Sequence, residues 1–131
     1  MKLKQSDTGD ILEIKIVEGK EVFEANVTII EFRDNGYDYF YCPSLEIIAN
    51  GKTPESAKES FNYIFHETLE YCVENGTLQT YLFQNGWASI ISNRKYTNAG
   101  FFNLIKFKPE ISETLAHVRD FNVHSSVLLS A

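Results

Sequence analysis

The apolar residues of this chain change period between Asn50 and Pro54, and that switch calls for strands before it and a helix after it. Upstream, Leu12, Ile14 and Ile16 alternate with Glu13 and Lys15, and Phe23, Ala25, Val27 and Ile29 alternate with Glu24, Asn26 and Thr28. A period of two buries one face of each strand and leaves the other wet. Downstream, Ala57, Phe61, Ile64, Phe65, Leu69, Cys72 and Val73 recur at helical spacing, while Lys58, Glu59, Glu67, Glu70 and Glu74 mark the opposite, polar side. The junction carries its own signals: Thr53 as N-cap, Pro54 at the first helical position and Glu55 facing the positive end of the helix dipole. Asn75-Gly76 supplies the C-terminal stop.

Turn chemistry divides the strand region. Glu18-Gly19-Lys20 separates the first two strands, and Asn35-Gly36 is a type I′ hairpin signal because both residues tolerate positive φ. Ile29, Ile30 and Phe32 break the alternation, which predicts a bulge or a change of face near Ile30. On the returning strand Tyr37, Tyr39 and Tyr41 share one face and Asp38, Phe40 and Cys42 the other, until Pro43 interrupts the ladder. Leu45 to Ala49 reads as a third strand or a strongly bent extension, and Thr77 to Gln84 as a short helix that uses Leu78, Tyr81 and Leu82 for packing. Beyond it, Trp87 to Ile91 and Phe101 to Phe107 read as strands, Pro109 to Val118 as a helix and Asn122 to Leu129 as a final strand.

The expected architecture is therefore α+β, an antiparallel sheet of three or more strands against one long helix. Residues 1–86 form the main domain, and 87–131 an α/β C-terminal extension packed on the same core. With 131 residues, 44% of them hydrophobic, the chain can bury such a core. Its first residues lack the apolar run of a secretory signal, and no later run is long enough to span a bilayer, so a cytoplasmic location is expected. Cys42 and Cys72 fit neither a redox pair nor a zinc cluster and are expected to be packed, free thiols. The net charge of -6 is unevenly spread: Met1 to Gly86 holds 7 basic against 15 acidic residues, and Trp87 to Ala131 holds 5 against 3. An acidic front half is suited to a basic partner.

From about Asn26 to Gly76 the order of signals resembles the HicB antitoxin family. The resemblance is carried by Asn35-Gly36, the aromatic strand Tyr37-Asp38-Tyr39-Phe40-Tyr41-Cys42, the segment Pro43-Ser44-Leu45, and Gly51-Lys52-Thr53-Pro54-Glu55-Ser56-Ala57 opening the helix. The chain has Glu46-Ile47-Ile48 where the common family form continues with Pro and Gly. The resemblance implies a shortened ribonuclease-H-like arrangement, often dimeric and often followed by a DNA-binding segment. It also implies a function: neutralising a small basic HicA-like ribonuclease toxin by covering its active site. For such a partner the expected contact residues are Tyr37, Tyr39 and Tyr41 on the strand and Glu67, Glu70 and Glu74 on the helix. An orphan homo-oligomeric interaction module of the same fold is the alternative.

Other chemistries find less support in the residues. Glu31, Asp34 and Asp38 are explained by turn chemistry, without further acids to build a two-metal centre. His66, His117 and His124 have no metal-binding spacing, and the chain has no P-loop, nucleophile elbow or dinucleotide-binding glycine cluster, so neither catalysis nor a cofactor is expected. Arg94, Lys95, Lys106 and Lys108 are the candidate phosphate contacts, together with Arg119, but no recognition helix accompanies them. The strand tyrosines lack the interleaved basic residues of a base-stacking sheet, which favours a protein contact.

Overall fold

The computed structural model describes residues 9–91, 94–98 and 121–130. The expected strand at Phe101 to Phe107, the helix at Pro109 to Val118, and Lys106, Lys108, His117 and Arg119 lie outside the described residues. The described elements run β1 (Asp10–Val17), β2 (Lys20–Asp34), β3 (Tyr37–Cys42), β4 (Ile47–Gly51), α1 (Pro54–Glu74), α2 (Leu78–Gln84), β5 (Ala88–Ile91), β6 (Lys95–Asn98) and β7 (Phe121–Ser130). Every strand pairing is antiparallel, so the fold is α+β with two helices among the described residues.

The 15-residue β2 organises the sheet. Along one edge it pairs first with β1, from Lys20 to Asn26, and then with β3, from Ile30 to Asp34. Its other edge pairs with β7 without interruption from Phe23 to Phe32. Two wings leave β2 in consequence, one continuing from β3 to β4 and the other from β1 through β6 to β5. The break in alternation at Ile29 and Ile30 thus has a different cause from the expected bulge. Val27, Thr28, Ile29 and Ile30 are all buried, because β2 is covered on both faces there, and the register with β7 does not slip.

Both hairpins close as the turn residues require. Asn35 and Gly36 have φ of 51° and 82°, and Glu18 and Gly19 have 51° and 78°. Pro43 follows the last residue of β3, and turn residues through Glu46 precede a separate β4. Thr53 caps α1 by accepting the Ser56 N–H at 3.1 Å. Gly51 is needed for space: a Cβ there would lie 2.6 Å from the Ala57 nitrogen, so the end of β4 meets the first turn of α1 backbone to backbone.

α1 packs on β4 and β3 through Ala57, Phe61, Phe65, Leu69 and Cys72, with Ile64 partly buried. Val73, read as part of the apolar stripe, is exposed because it lies to one side of the packed arc. The same core takes in Leu12, Phe23, Ala25, Val27 and Ile29 from the sheet, Leu78 and Leu82 from α2, and Trp87 and Tyr96. Cys42 and Cys72 are free and buried. No helix among the described residues is long and apolar enough to cross a membrane.

Candidate functional site

The outer side of α1 is the surface that the fold leaves most distinctive. Burial of Phe61, Phe65 and Leu69 turns Glu59, Tyr63, Glu67, Glu70 and Glu74 to the opposite side, since steps of three and four residues stay on one helix face. Tyr63 and Tyr71 are 68% and 66% exposed, unusual for aromatic rings, and they stand among these carboxylates. No basic residue occupies the last turn of the helix, where the dipole favours cations. Glu70 and Glu74 near that end act against the helix by about 0.3–1 kcal/mol each. Of the side chains in this ridge, Glu67, Glu70 and Glu74 were expected from sequence and Tyr63 and Tyr71 were not. Both tyrosines could have been found there, as polar-face positions of the same helical period.

Tyr37, Tyr39 and Tyr41 do share one strand face, but not with the α1 ridge. Phe40, between them, tilts against Phe61 of α1 with ring centroids 6.2 Å apart, so the tyrosines point to the far side of the sheet. Tyr39 stacks on Phe32 at 4.9 Å, Tyr41 is half-buried, and Tyr37 is exposed. A shallow cavity bends round the β4 edge from Tyr39 and Ile48 to Ser60 and Ile64. The expected partner residues therefore occupy two separate surfaces.

Arg94 and Lys95 come together at a cleft with Lys15, lined also by Ile16, Val17 and Ile91. Lys15 bonds Glu24 at 3.2 Å and approaches Glu13 at 4.0 Å. Arg94 and Lys95 have no ion-pair partner among the described residues.

Two of the three hairpin acids, Asp38 and Glu31, are committed elsewhere. Asp38 accepts from Arg33 at 2.6 Å, and Arg33 also donates to the Gly36 carbonyl at 3.3 Å. Glu31 meets the His124 imidazole across the β2–β7 ladder. Among the described residues one cluster offers metal-ligand geometry: His66, Glu67 and Glu70, with ligand atoms within 4.8 Å of one another. His66 Nε2 already lies 2.9 Å from Glu70 Oε2, a helical i,i+4 pair.

A buried polar node, unanticipated from sequence, ties the wings together. Thr28 lies where β1 hands over to β3, so its N–H on that edge meets no strand. The Asp10 carboxylate fills the gap: one oxygen accepts the Thr28 N–H at 3.1 Å and its hydroxyl at 2.8 Å, and the other accepts the Ser44 hydroxyl at 2.5 Å. Burial raises the Asp10 pKa, and the Ser44 and Thr28 hydrogen bonds oppose that rise. Cys42 lies 3.4 Å from the Ser44 oxygen, and burial, with the Asp10 charge second, pushes its thiol up to about 12. The Trp87 indole donates to the Ser44 carbonyl at 2.6 Å, and the Tyr81 hydroxyl to that of Leu45. With Asp10 only 2% exposed and both oxygens occupied, the node is built to hold the fold.

In comparisons with family models, curated proteins and solved structures, no match to this chain was found.

Proposed function

We propose that this chain is a HicB-like antitoxin that binds and neutralises a small basic HicA-like ribonuclease through the outer face of α1. The observation that carries the reading is the ridge of Tyr63, Tyr71, Glu67, Glu70 and Glu74 on an otherwise well-packed helix. Exposed aromatic rings supply contact area, and the carboxylates around them supply the sign that draws a basic protein and rejects an acidic one. The acidic helix end, unfavourable for α1 itself, is compensated when a cationic partner docks. Arg94 and Lys95 are the residues through which autoregulatory DNA binding would act. The protein needs no metal or catalytic group of its own, since covering an active site is a binding event.

An orphan homo-oligomeric module is the second reading, favoured by β4. This strand pairs only with β3 among the described residues, and its Ile48 is 48% exposed at the sheet edge.

The test is a paired affinity capture from source-cell lysate, with nuclease, using wild type and the triple variant E67K/E70K/E74K as baits. A small basic protein held by wild type and lost by the variant is expected. Its ribonuclease activity should fall on adding wild-type chain. A basic partner held equally by both baits excludes the ridge, and a captured protein whose ribonuclease activity is unaffected excludes the antitoxin role.

A further inference from the structure

The cleft at β1 and β6 is as anomalous as the α1 ridge, and the two are opposites. In a chain of net charge -6, three basic side chains, Lys15, Arg94 and Lys95, line this cleft. Glu13 and Glu24 hold Lys15, which leaves Arg94 and Lys95 as the cations without an ion-pair partner among the described residues. Its apolar part is open as well: Ile16, Val17 and Ile91 are 69%, 50% and 54% exposed. Lining one cleft together, these branched aliphatic side chains form an apolar patch of the kind that binding surfaces use. The ridge presents rings and carboxylates, and the cleft aliphatic groups and cations, so they match in polarity and in sign.

We infer that the chain associates head to tail with copies of itself, the α1 ridge of one copy seating in the β1–β6 cleft of the next. Both complementary surfaces are present on one chain, and they belong to different wings. The ridge is anchored on β3 and β4, and the cleft is built from β1, β6 and the end of β5. The contact is therefore heterologous: each copy offers one ridge and one cleft, and association continues into a ring or an open chain. A basic partner on the ridge displaces a neighbouring copy, so self-association and toxin binding compete for the same helix face. That competition rests on the proposed function; the self-association does not.

Sedimentation velocity of the purified chain, with no other protein present, tests this directly. The mean mass should rise with concentration at low salt and fall as salt screens the contact. R94E/K95E and E67K/E70K/E74K should each weaken association about tenfold, a few exposed charge pairs' worth, at unchanged circular dichroism. Mixing the two variants should restore association as a one-to-one pair, because the native ridge of one still fits the native cleft of the other. R94Q/K95Q, which removes charge without reversing it, serves if reversal disturbs folding. A chain that stays monomeric, variants that associate like wild type, or a mixture that stays dissociated would overturn the inference. So would a salt-insensitive dimer, which points to pairing at the β4 edge, or mass gained only when duplex DNA is added.

Discussion

Removing the Asp10 carboxylate should harm the fold far more than removing its charge. In Asp10→Ala the Thr28 N–H, buried at the handover from β1 to β3, loses its acceptor, and the Thr28 and Ser44 hydroxyls must find others. An unsatisfied buried donor costs about 1–3 kcal/mol. With the cavity left by the side chain the loss comes to about 3 kcal/mol, or roughly 10 °C in Tm for a chain of this size. Asp10→Asn keeps an oxygen for Thr28 and turns an amide toward the Ser44 hydroxyl, which can accept it. Its stability at neutral pH should stay within about 1 kcal/mol of wild type, since relief from burying a charge offsets the weaker hydrogen bonds. The pH dependence separates the two substitutions further. Burial raises the folded pKa of Asp10 above its unfolded value of 3.8, so the folded chain holds the proton more tightly. The stability this group contributes is full below the unfolded pKa and is lost as pH rises through the folded one. Wild type should therefore lose stability relative to Asp10→Asn as pH climbs out of the ordinary carboxylate range. Urea unfolding of the three proteins across that range, followed by fluorescence of the single Trp87, reads every term. If Asn proves as damaging as Ala, or the gap between wild type and Asn does not move with pH, this reasoning is wrong.

Gly51→Ala should cost about 2 kcal/mol by denaturant titration, because its Cβ meets helix backbone that cannot yield cheaply. Gly36→Ala, with open space but a positive φ of 82°, should cost only about 1 kcal/mol of backbone strain. Cys42, with its thiol raised to about 12, and the buried Cys72 should resist a chromogenic disulfide reagent in native protein, and both should react on unfolding. Trp87→Phe should lose about 1–2 kcal/mol by thermal melting, since the Ser44 carbonyl is left without its indole donor.

Local signals were read well from sequence, and contacts between distant segments were not. The period switch, the Thr53 cap, both hairpin turns and the packing stripe of α1 each depend on residues a few positions apart, and each appears in the structure. The burial of Ile29 and Ile30 on opposite faces of β2 is set by tertiary packing on both sides of the sheet, and the pairing of β2 with β7 by a strand from a distant part of the chain; neither can be read from spacing along β2. Asp10 looked like an ordinary polar residue at a strand start because its partners are 18 and 34 residues away. The site was half legible for the same reason. Helical spacing placed Glu67, Glu70 and Glu74 on one face, but grouping Arg94 and Lys95 with Lys15 required knowing that β1 pairs with β6. Nor could strand alternation alone say that the three tyrosines point away from the helix, which follows only from Phe40 packing on Phe61.

The central claim is that the α1 ridge is where a basic protein docks. Carbodiimide footprinting of carboxylates, with and without the captured basic protein, tests it most directly. With the free chain held dilute enough to be monomeric, labelling of Glu67, Glu70 and Glu74 should drop on binding, while that of Glu18 in the β1–β2 turn and Glu21 at the start of β2, both on the other wing, holds steady. Unchanged labelling of the three ridge residues in a complex that is demonstrably formed would contradict the account.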